Sequence, residues 1–594
     1  MPLTEFTSPL GKKRAGHLLR RTCLGGSISD IEAFSLLTPA EAVQQLFDSE
    51  LPDPVLPLDR ANGQEWITTG NAESEEFELQ QFFLAWHLGQ LLGNGIEDTK
   101  KLAYIFRERI VFFMHTHFTT KRSVVGNSRA LYFQQALFRM FAFDTVDITL
   151  PPEDPDDPAS METIVPRNFK QLTKKISVDN AMLIFLDGRF NVKGSPNENY
   201  ARELLELFAI GRGLEGNVPE PAFVGDYFNY TEEDVQAGAK VLSGFDTDTT
   251  FATIDVETGL PRGAARGGIT ASSHEEGTKT FSGRLGTATV TPDPLLLVGG
   301  SPTEESALDE ISQFVDIVYD QPETALHICR EIYRFFVYHQ INQALYDDII
   351  QDMADTFVAS DFKLQSVLEV LLTSTHFYEA DPGSDDNNFG SIIKSPLDLV
   401  LGFMRNFDVQ LPNYETDLDN YYNFATDILR EIDRQGMDYY EPFEVAGYAA
   451  YHQFPIFNRS WITTNYLTNR YNFIRGSIVA QVIPEMGQID IMAFVQANFS
   501  DAIASNARDL IIAISEYFLP TAENLSFDTP DVGELTIERL NYFLSAFLSA
   551  PLIDADPEAA WTFRWQNGVD NEVVANQLTS LFNAMLQSPE YQLM

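Results

Sequence analysis

Apolar residues recur every three or four positions along much of the chain, a spacing typical of amphipathic helices. In residues 101–114 these positions fall on one face of a 3.6-residue helix, and they are Leu102, Ile105, Phe106, Ile110 and Phe113. The same spacing recurs in segments 131–143, 324–337, 345–372, 507–518 and 536–548. The pattern predicts a mainly α protein with a multi-helical body.

Three stretches interrupt the helical pattern. Residues 151–158 are rich in proline and acids, and residues 381–390 are acidic and contain Pro, Gly and Asn, so both are predicted to be exposed linkers. Residues 245–300 are rich in Thr, Gly and Val, which predicts a minor insertion of loops and short β-strands. We therefore expect an N-terminal helical region at 1–150, a second region with the insertion at 151–380, and a C-terminal helical region at 391–594.

The most clearly delimited helix is predicted in residues 195–211. Ser195 and Glu198 match a capping box at its start, and Gly211 suits a left-handed cap at its end. A second helix is predicted after Thr231, with Asp234 three residues later as its capping partner.

Composition narrows the class of protein. The chain has 594 residues, of which 44% are hydrophobic, so extended disorder is excluded. The formal net charge of −46 disfavours binding to nucleic acid or to anionic lipid, because like charges repel. The favoured interpretation of this charge is a solvated acidic surface suited to a salty medium. The alternative is a surface that collects divalent cations or a basic partner.

Cysteines and apolar runs exclude further classes. Cys23 and Cys329 are the only cysteines, so a disulfide framework and a cysteine-based metal site are excluded, while the sequence leaves open whether the two pair. No apolar run is long enough to span a bilayer, so no transmembrane segment is expected. The first residues lack the charged-then-apolar pattern of a signal peptide.

Five side chains are candidates for a divalent metal site holding Zn, Fe, Mn or Ca: His115, His117, Glu203, Glu206 and His274. On a continuing helix the first two histidines point about 200° apart, so the helix must end near His115 if they are to share an ion. Glu203 and Glu206 offer oxygen ligands to a hard or borderline metal. His274 lies in a Gly- and Ser-rich loop between acids, where it is either a ligand or base or an exposed residue without a role.

Structural alternatives accompany these candidates. The helical phase of His117 predicts a core histidine with one bonded nitrogen. Glu198, Arg202 and Glu206 stand at i, i+4 and i+8, which predicts a charge ladder that holds helices together. Glu203 and Glu206 would then belong to an ion-pair network and not to a metal site.

Familiar catalytic motifs are missing. Residues 211–216 fit G-x-G-x-x-G, but they follow a predicted helix and not a strand, so no cofactor-binding site is expected there. There is no P-loop, G-x-S-x-G elbow, H-E-x-x-H or EF-hand spacing. His452, with its aromatic neighbours, is expected to serve packing or a partner contact, and the pairs Tyr421–Tyr422 and Tyr439–Tyr440 are expected to be exposed. Whether the protein is an enzyme is left open.

Eight short segments carry a resemblance, and in chain order they are 14–21, 114–118, 182–188, 195–211, 230–235, 274–279, 394–396 and 588–591. Together they resemble the domain of unknown function 1800 family over nearly the whole chain, although residues 22–24 depart from its usual Ala-Thr-Phe. The resemblance implies a mainly helical, exported bacterial protein whose companion protein is similar to alkaline phosphatases and sulfatases. No activity is established for that family.

These observations lead to two expected functions. The first is an exported or surface-associated, non-catalytic acidic protein that serves as a scaffold or partner in a bacterial envelope or extracellular assembly, with a cytoplasmic location as the alternative. The second is a metal-dependent hydrolase or oxidoreductase that uses the five candidates. Convergence of at least three of them beside an open cleft would favour the enzyme. A third possibility, a structural subunit of a surface polymer, would show repeated chain–chain interfaces.

Overall fold

Helices account for 55% of the protein and small strands for 5% in the computed structural model. The prediction of a mainly α fold with a minor β insertion is confirmed. The structure describes residues 3–48, 50–152, 161–379, 392–480, 482–484, 486–529, 533–549 and 554–594. Most of the expected linker at 151–158 and all of the one at 381–390 lie outside these ranges, and the division into three regions stays a prediction.

The first part of the chain forms seven helices and then a hairpin. The helices are α1 (Gly11–Thr22), α2 (Ile28–Ser35), α3 (Pro39–Leu46), α4 (Glu76–Leu91), α5 (Asp98–His117), α6 (Arg122–Val125) and α7 (Ser128–Ala142). Capping boxes start α2 at Ser27 and α3 at Thr38. The hairpin pairs β1 (Ile148–Leu150) with β2 (Thr163–Val165) in antiparallel register, and the sequence pattern did not predict it.

The middle of the chain combines helices with two very short antiparallel pairs. Its helices are α8 (Phe169–Ile176), α9 (Asn180–Phe185), α10 (Asn199–Glu203), α11 (Glu232–Val241), α12 (Glu304–Tyr319), α13 (Pro322–Phe336), α14 (Gln343–Leu345), α15 (Gln351–Ala359), α16 (Leu364–Leu372) and α17 (Thr375–Tyr378), with π-helical turns at Leu204–Phe208 and Tyr346–Ile350. In the insertion, β3 (Phe245–Asp246) pairs with β4 (Ala264–Ala265), and β5 (Lys279–Thr280) pairs with β6 (Thr289–Val290). The expected short strands are therefore present within 245–300.

The last part is helical again and packs against the first. Its helices are α18 (Pro396–Asn406), α19 (Leu418–Arg434), α20 (Ala449–His452), α21 (Thr464–Val479), α22 (Ile491–Asn498), α23 (Asp501–Ala504), α24 (Ala507–Phe518), α25 (Ile537–Leu548), α26 (Pro557–Asn567) and α27 (Asn571–Leu586). Helices α21, α22 and α25 pack on α27, while α24 contacts α1 and α19 contacts α4. Buried side chains from Leu10 to Met594 consequently form one continuous hydrophobic cluster.

Helix α5 is buried on every side, contrary to the prediction of one buried face for 101–114. It contacts α1, α3, α4, α7 and α13, and its residues from Ala103 to His115 are all buried. Surrounding helices therefore cover the face that carries Arg107, Glu108 and Arg109, which the sequence pattern had left to solvent. Buried charges need partners, so these three side chains constrain how the neighbouring helices pack.

The Glu108 carboxylate is the best-paired of these charges. It accepts two hydrogen bonds from Arg139 on α7, at 2.8 and 2.7 Å, and one from Arg107 at 3.2 Å. Burial alone would raise the pKa of the Glu108 carboxyl, but the charge and hydrogen bonds of Arg139 lower it to about 2. This ion pair ties α5 to α7 inside the core.

Two further expectations concern aromatic residues and cysteines. The prediction that Tyr421–Tyr422 and Tyr439–Tyr440 are exposed is wrong, because all four rings are buried in the core. The hydroxyls of Tyr421, Tyr422 and Tyr439 form hydrogen bonds inside the protein, for example Tyr439 with His87 Nδ1 at 2.7 Å. Cys23 and Cys329 are both free and buried.

No helix in the described part of the chain is long and apolar enough to cross a membrane.

Replacing Glu108 with Gln should lower the free energy of unfolding by about 3–5 kcal/mol at pH 7, because Arg139 keeps its charge without a counter-charge in the core. The folded-state pKa of Glu108 lies below its ordinary value of 4.5. Its stabilisation is therefore complete above the unfolded-state pKa and disappears as the pH falls from that value through about 2. Urea denaturation of both proteins at neutral pH and at pH about 3 measures the two effects.

The control variant is Asp419→Asn, whose exposed carboxylate pairs with Arg60 at 2.7 Å. It should change the free energy of unfolding by less than about 1 kcal/mol. A Glu108→Gln variant as stable as the control would contradict the importance of the buried pair.

Candidate functional site

The segment that was predicted to be one regular helix consists of two kinds of helical turn. Helix α10 begins at Asn199 and not after Ser195, and no side chain caps its start. Ser195 instead forms a bridge with Val192, so the capping-box prediction is wrong. The α-helix changes at Leu204 into the π-helical turn Leu204–Phe208. The other caps are confirmed, since Gly211 has a φ of +65° and Thr231 forms a capping box with Asp234.

The π turn breaks the predicted charge ladder of Glu198, Arg202 and Glu206. Arg202 pairs with Glu198 at 3.4 Å, but its closer contact is Glu232 on α11, at 2.7 Å. Glu206 pairs with Arg212 at 2.6 Å. A π turn has i→i+5 bonds and so holds more residues than an α turn, which moves Glu206 out of line with Arg202. Only the first rung of the ladder forms.

Two histidines bond the backbone at the end of this π turn. His117 Nε2 donates to the Phe208 carbonyl at 2.9 Å, and His327 Nε2, from α13, donates to the Leu207 carbonyl at 2.8 Å. Carbonyls at the end of a helix lack partners within it, and these imidazoles satisfy two of them. The two rings lie 6.3 Å apart between centroids.

The hydrogen bonds also fix the protonation of both rings. A carbonyl only accepts, so each Nε2 carries the proton and each Nδ1 of the neutral ring keeps a lone pair. The Nδ1 of His327 accepts from Arg330 Nη2 at 3.0 Å. Burial lowers the pKa of His117 to about 4, and burial together with the nearby Arg330 lowers that of His327 to about 3. Both rings are therefore neutral at pH 7.

A cavity of about 330 Å³ opens beside these two histidines. Its lining comes from the end of α5, the π turn, the loop after it, α13 and the segment before α21: Thr116, His117, Glu206, Leu207, Arg212, Gly213, Glu215, Val218, His327, Arg330, Glu331, Ala446 and His452. Its volume lies in the range of small-molecule sites, and such sites also have a lining of apolar residues with a few polar groups. We call it the histidine–arginine cavity.

The carboxylates that line the cavity are all paired with arginines. Glu206 pairs with Arg212, while Glu215 and Glu331 both pair with Arg334, the latter at 2.9 Å. Burial alone would raise the pKa of Glu215, but Arg334 lowers it to about 2. Each of the three carboxylates therefore has an arginine partner, and two of them share Arg334.

Arg330 differs from the other cavity arginines because no carboxylate in the described ranges lies within ion-pair distance of it. It is only 1% exposed, and its Nε and Nη1 have no hydrogen-bond partner among those residues. Its Nη2 donates to neutral His327, and its guanidinium lies 5.7 Å from the centre of the Tyr346 ring. The cavity wall thus holds one guanidinium with unused donors.

The structure does not place His115 in this cavity. Helix α5 continues to His117, so the condition that it end near His115 is not met and the two histidines point in different directions. His115 stacks on Tyr440, with ring centroids 3.9 Å apart, and burial lowers its pKa to about 3. The idea that His115 and His117 share one ion is therefore wrong.

His274 belongs to a separate buried cluster. Its Nδ1 donates to the Ser243 carbonyl at 2.8 Å, and its Nε2 lies 3.2 Å from a carboxylate oxygen of Glu310. Glu310 also pairs with Lys279. His274 is 1% exposed, so the alternative of an exposed loop residue is wrong. The cluster ties the β5 region to α12.

Of the five metal candidates, His117 and Glu206 share the histidine–arginine cavity, while His115, Glu203 and His274 are not part of its lining. Burial and the charge of Glu206 raise the pKa of Glu203 to about 7. In the part of the chain that the structure describes, no group of three or more His, Cys, Asp or Glu side chains is placed to hold a metal ion. A metal site on these residues stays a prediction.

Sequence analysis did not single out the α13 residues of the cavity. His327, Arg330, Glu331 and Arg334 stand at i, i+3, i+4 and i+7, so they form one polar stripe on a helix that was itself predicted. That stripe was a usable signal. His452, for which packing or a partner contact stays a prediction, lines the cavity as well.

Comparison with protein families supports the resemblance stated above. A family model described as "Protein of unknown function (DUF1800)" matches residues 17–593, nearly the whole chain, and confirms the prediction from the sequence. No curated protein and no solved structure matches the chain. The match names a family and assigns no reaction.

Replacing Gly211 with Ala should disturb the cavity and destabilise the protein. A Cβ at this position would stand 2.6 Å from His327 Nδ1, and the φ of +65° disfavours any side chain. We expect a loss of about 1–3 kcal/mol from the combined strain and displaced imidazole, measured by urea denaturation.

Gly63→Ala is the matched control, because Gly63 has a φ of +70° and open space around the new Cβ. It should lose only the backbone part, about 1 kcal/mol. Equal losses in the two variants would show that the contact with His327 is unimportant.

Proposed function

This chain belongs to the DUF1800 family of proteins of unknown function, and we propose that it binds a small molecule with one negatively charged group in the histidine–arginine cavity. The observation that carries the proposal is the Arg330 guanidinium, which is buried, lines the cavity and has unused donors. Buried charges are normally paired. An anionic group of a ligand would supply the missing partner.

The other charges of the cavity support an anionic ligand over a cationic one. The carboxylates of Glu206, Glu215 and Glu331 each already contact an arginine, either Arg212 or Arg334. A carboxylate, phosphate or sulfate group accepts the paired hydrogen bonds that a guanidinium offers. Neutral His117, with the lone pair on Nδ1, adds an acceptor for a hydroxyl of the ligand.

The cavity also has room for an apolar portion of the ligand. Leu207, Val218 and Ala446 contribute apolar lining, and a volume of about 330 Å³ exceeds what one charged group needs. The ligand class that fits is an acid or a phosphate or sulfate ester with a compact apolar body.

We further propose, from the family resemblance, that the protein is exported or surface-associated and works with a protein partner as part of an assembly. Exposed apolar side chains support a partner contact, in place of the buried tyrosine pairs. Val218 lines the cavity, and Phe454 lies against Gly216 in the loop that contributes to the lining. Phe443 and Ile456, which flank the lining residues Ala446 and His452 in the sequence, are also exposed, Phe443 to 92%.

A second candidate function is the metal-dependent hydrolase or oxidoreductase. It is supported by His117, Glu206 and His452, which line the same cavity. The hydrogen bond of His117 Nε2 to Phe208 and the ion pair of Glu206 with Arg212 occupy part of their coordinating capacity. A metal would have to use His117 Nδ1 and replace Arg212 at Glu206, which is why this candidate ranks second.

For the first proposal, phenyl phosphate should bind the full-length protein in isothermal titration calorimetry, and neutral phenol should bind at least about tenfold more weakly. Arg330→Met should weaken phenyl phosphate binding at least tenfold, because a charge-assisted hydrogen bond contributes about 1.5–3 kcal/mol and 1.4 kcal/mol is a factor of ten.

Arg330→Lys keeps the charge but loses the planar fork and should give intermediate binding. Arg508→Met is the control, since Arg508 pairs with Glu558 on another part of the surface, and it should bind like the unaltered protein. Equal binding of phenyl phosphate and phenol, or full binding by Arg330→Met, would reject the proposal.

For the second candidate, elemental analysis of protein equilibrated with zinc should find about one metal ion per chain, and His117→Ala should lose it. His115→Ala is the matched control, because His115 lies on the same helix, is equally buried and does not line the cavity. Protein without metal would reject the second candidate and leave the first untouched.

A further inference from the structure

A second large cavity lies on another part of the molecule, beside the first half of α5. Its volume is about 760 Å³, and it shares no lining residue with the histidine–arginine cavity. Its wall is formed by residues within the segments 50–55, 90–104 and 411–421. The volume lies in the range of small-molecule sites. We call it the tyrosine–carboxylate cavity.

Buried side chains form the base of this cavity. The lining residues that are buried are Gln90, Tyr104, Leu411, Tyr414 and Tyr421. Three of the five are aromatic and one is aliphatic, so the base is mainly apolar. An apolar base with few polar groups is what binding sites for organic molecules share.

The polar atoms at this base already have hydrogen-bond partners. The Tyr104 hydroxyl donates to Gln90 Oε1 at 2.5 Å, and the Tyr421 hydroxyl donates to a backbone carbonyl of α4 at 3.1 Å. The Tyr414 hydroxyl accepts from the Leu58 backbone N at 2.7 Å. Because these groups need no further partner, the base suits the apolar part of a ligand and not its charged group.

Two hydrogen bonds from the core hold the outer wall of the cavity, residues 50–55. Arg107 Nη2 donates to the Pro52 carbonyl at 3.2 Å, and Trp86 Nε1 donates to the Val55 carbonyl at 2.7 Å. Both donors lie on buried helices, so the wall is in place before a ligand arrives. A preformed wall lowers the entropic cost of binding.

The exposed part of the lining is acidic. Its four carboxylates, all on exposed residues, are those of Glu50, Asp53, Glu97 and Glu415. The lining has one cation, Lys100, and this side chain pairs with Asp48. None of the four carboxylates forms an ion pair within the described ranges. The cavity therefore carries an excess of negative charge, opposite in sign to the guanidinium of the first cavity.

This arrangement favours an organic cation over a metal ion. Among the residues that the structure describes, no three His, Cys, Asp or Glu side chains are placed to hold a metal ion, so the four carboxylates do not converge on one point. A cation that also has an apolar body would contact both parts of the lining. Acidic residues elsewhere on this chain of net charge −46 attract cations as well, but the apolar base distinguishes the cavity from them.

We propose that the tyrosine–carboxylate cavity binds an organic amine, with the ammonium group among the carboxylates and the apolar body against the tyrosines. Such an amine is protonated at neutral pH. The site is separate from the proposed anion site, and the two cavities would select ligands of opposite charge.

Three indole compounds of similar size test the proposal: tryptamine is a cation, tryptophol is neutral and indole-3-propionate is an anion. In isothermal titration calorimetry with the full-length protein, tryptamine should bind one site per chain, about fivefold or more tightly than tryptophol, because several weak ion pairs add up. Indole-3-propionate should not displace tryptamine. Added sodium chloride should weaken tryptamine binding, since salt screens exposed charges.

The double variant Asp53→Asn with Glu415→Gln removes one carboxylate from each of two walls. It should weaken tryptamine binding about threefold or more and leave tryptophol binding unchanged. Both residues are exposed, so the variant should fold normally.

The matched control is Glu538→Gln with Glu572→Gln. These residues lie in α25 and α27, are exposed, and do not line the cavity, so the control loses the same charge elsewhere. It should bind tryptamine like the unaltered protein. Equal weakening in the two double variants would show that only the overall charge matters. That result, full binding by the Asp53 and Glu415 variant, equal binding of tryptamine and tryptophol, or no saturable binding of tryptamine would overturn the proposal.

Discussion

The pairing of charge inside the core is the constraint on which the rest of this structure depends. Helix α5 passes through the middle of the protein with Arg107, Glu108 and Arg109 on its surface, and each must find a partner away from water. Glu108 takes Arg139 of α7, and Arg109 takes Asp398 of α18. These pairs link helices from different parts of the chain, so the same residues that make burial costly also specify which helices meet.

Two places depart from complete pairing, and ligand binding is proposed at the first of them. In the histidine–arginine cavity, neutral imidazoles hold the end of a π turn, and Arg330 is left with unused donors. Around Asp398, the buried guanidiniums of Arg21, Arg109 and Arg470 share one carboxylate. In both places a positive charge is buried in a chain whose overall charge is −46, so an incoming anion must pass a repulsive surface. At high ionic strength that repulsion is screened over a few ångströms, whereas the buried sites keep their local charge.

The sequence predicted the helical fold, the insertion at 245–300 and the caps at Thr231 and Gly211, because periodicity and cap chemistry are local properties. It could not predict that α5 is buried all round, since Arg107, Glu108 and Arg109 resemble a solvent-facing side until their partners are known. Nothing in the local pattern signalled the π turn at Leu204–Phe208. The prediction therefore aligned Glu206 with Glu198 and Arg202, whereas the π turn moves Glu206 out of that line. A small part of the cavity was predictable from the sequence, as His117 and Glu206 had been singled out, while the polar stripe of α13 was overlooked.

The π turn has a consequence for the length of this segment. Because it accommodates more backbone than an α turn over the same rise, removing one residue from Leu204–Phe208 would let the helix close into regular α geometry. Glu206 would then rotate toward Arg202, and the carbonyls of Leu207 and Phe208 would turn away from His327 and His117. Deleting Leu204 or Leu205 would thus dismantle the cavity wall while keeping every residue whose side chain lines it. Among related chains, alignment gaps in this stretch would separate those that keep the cavity from those that have lost it.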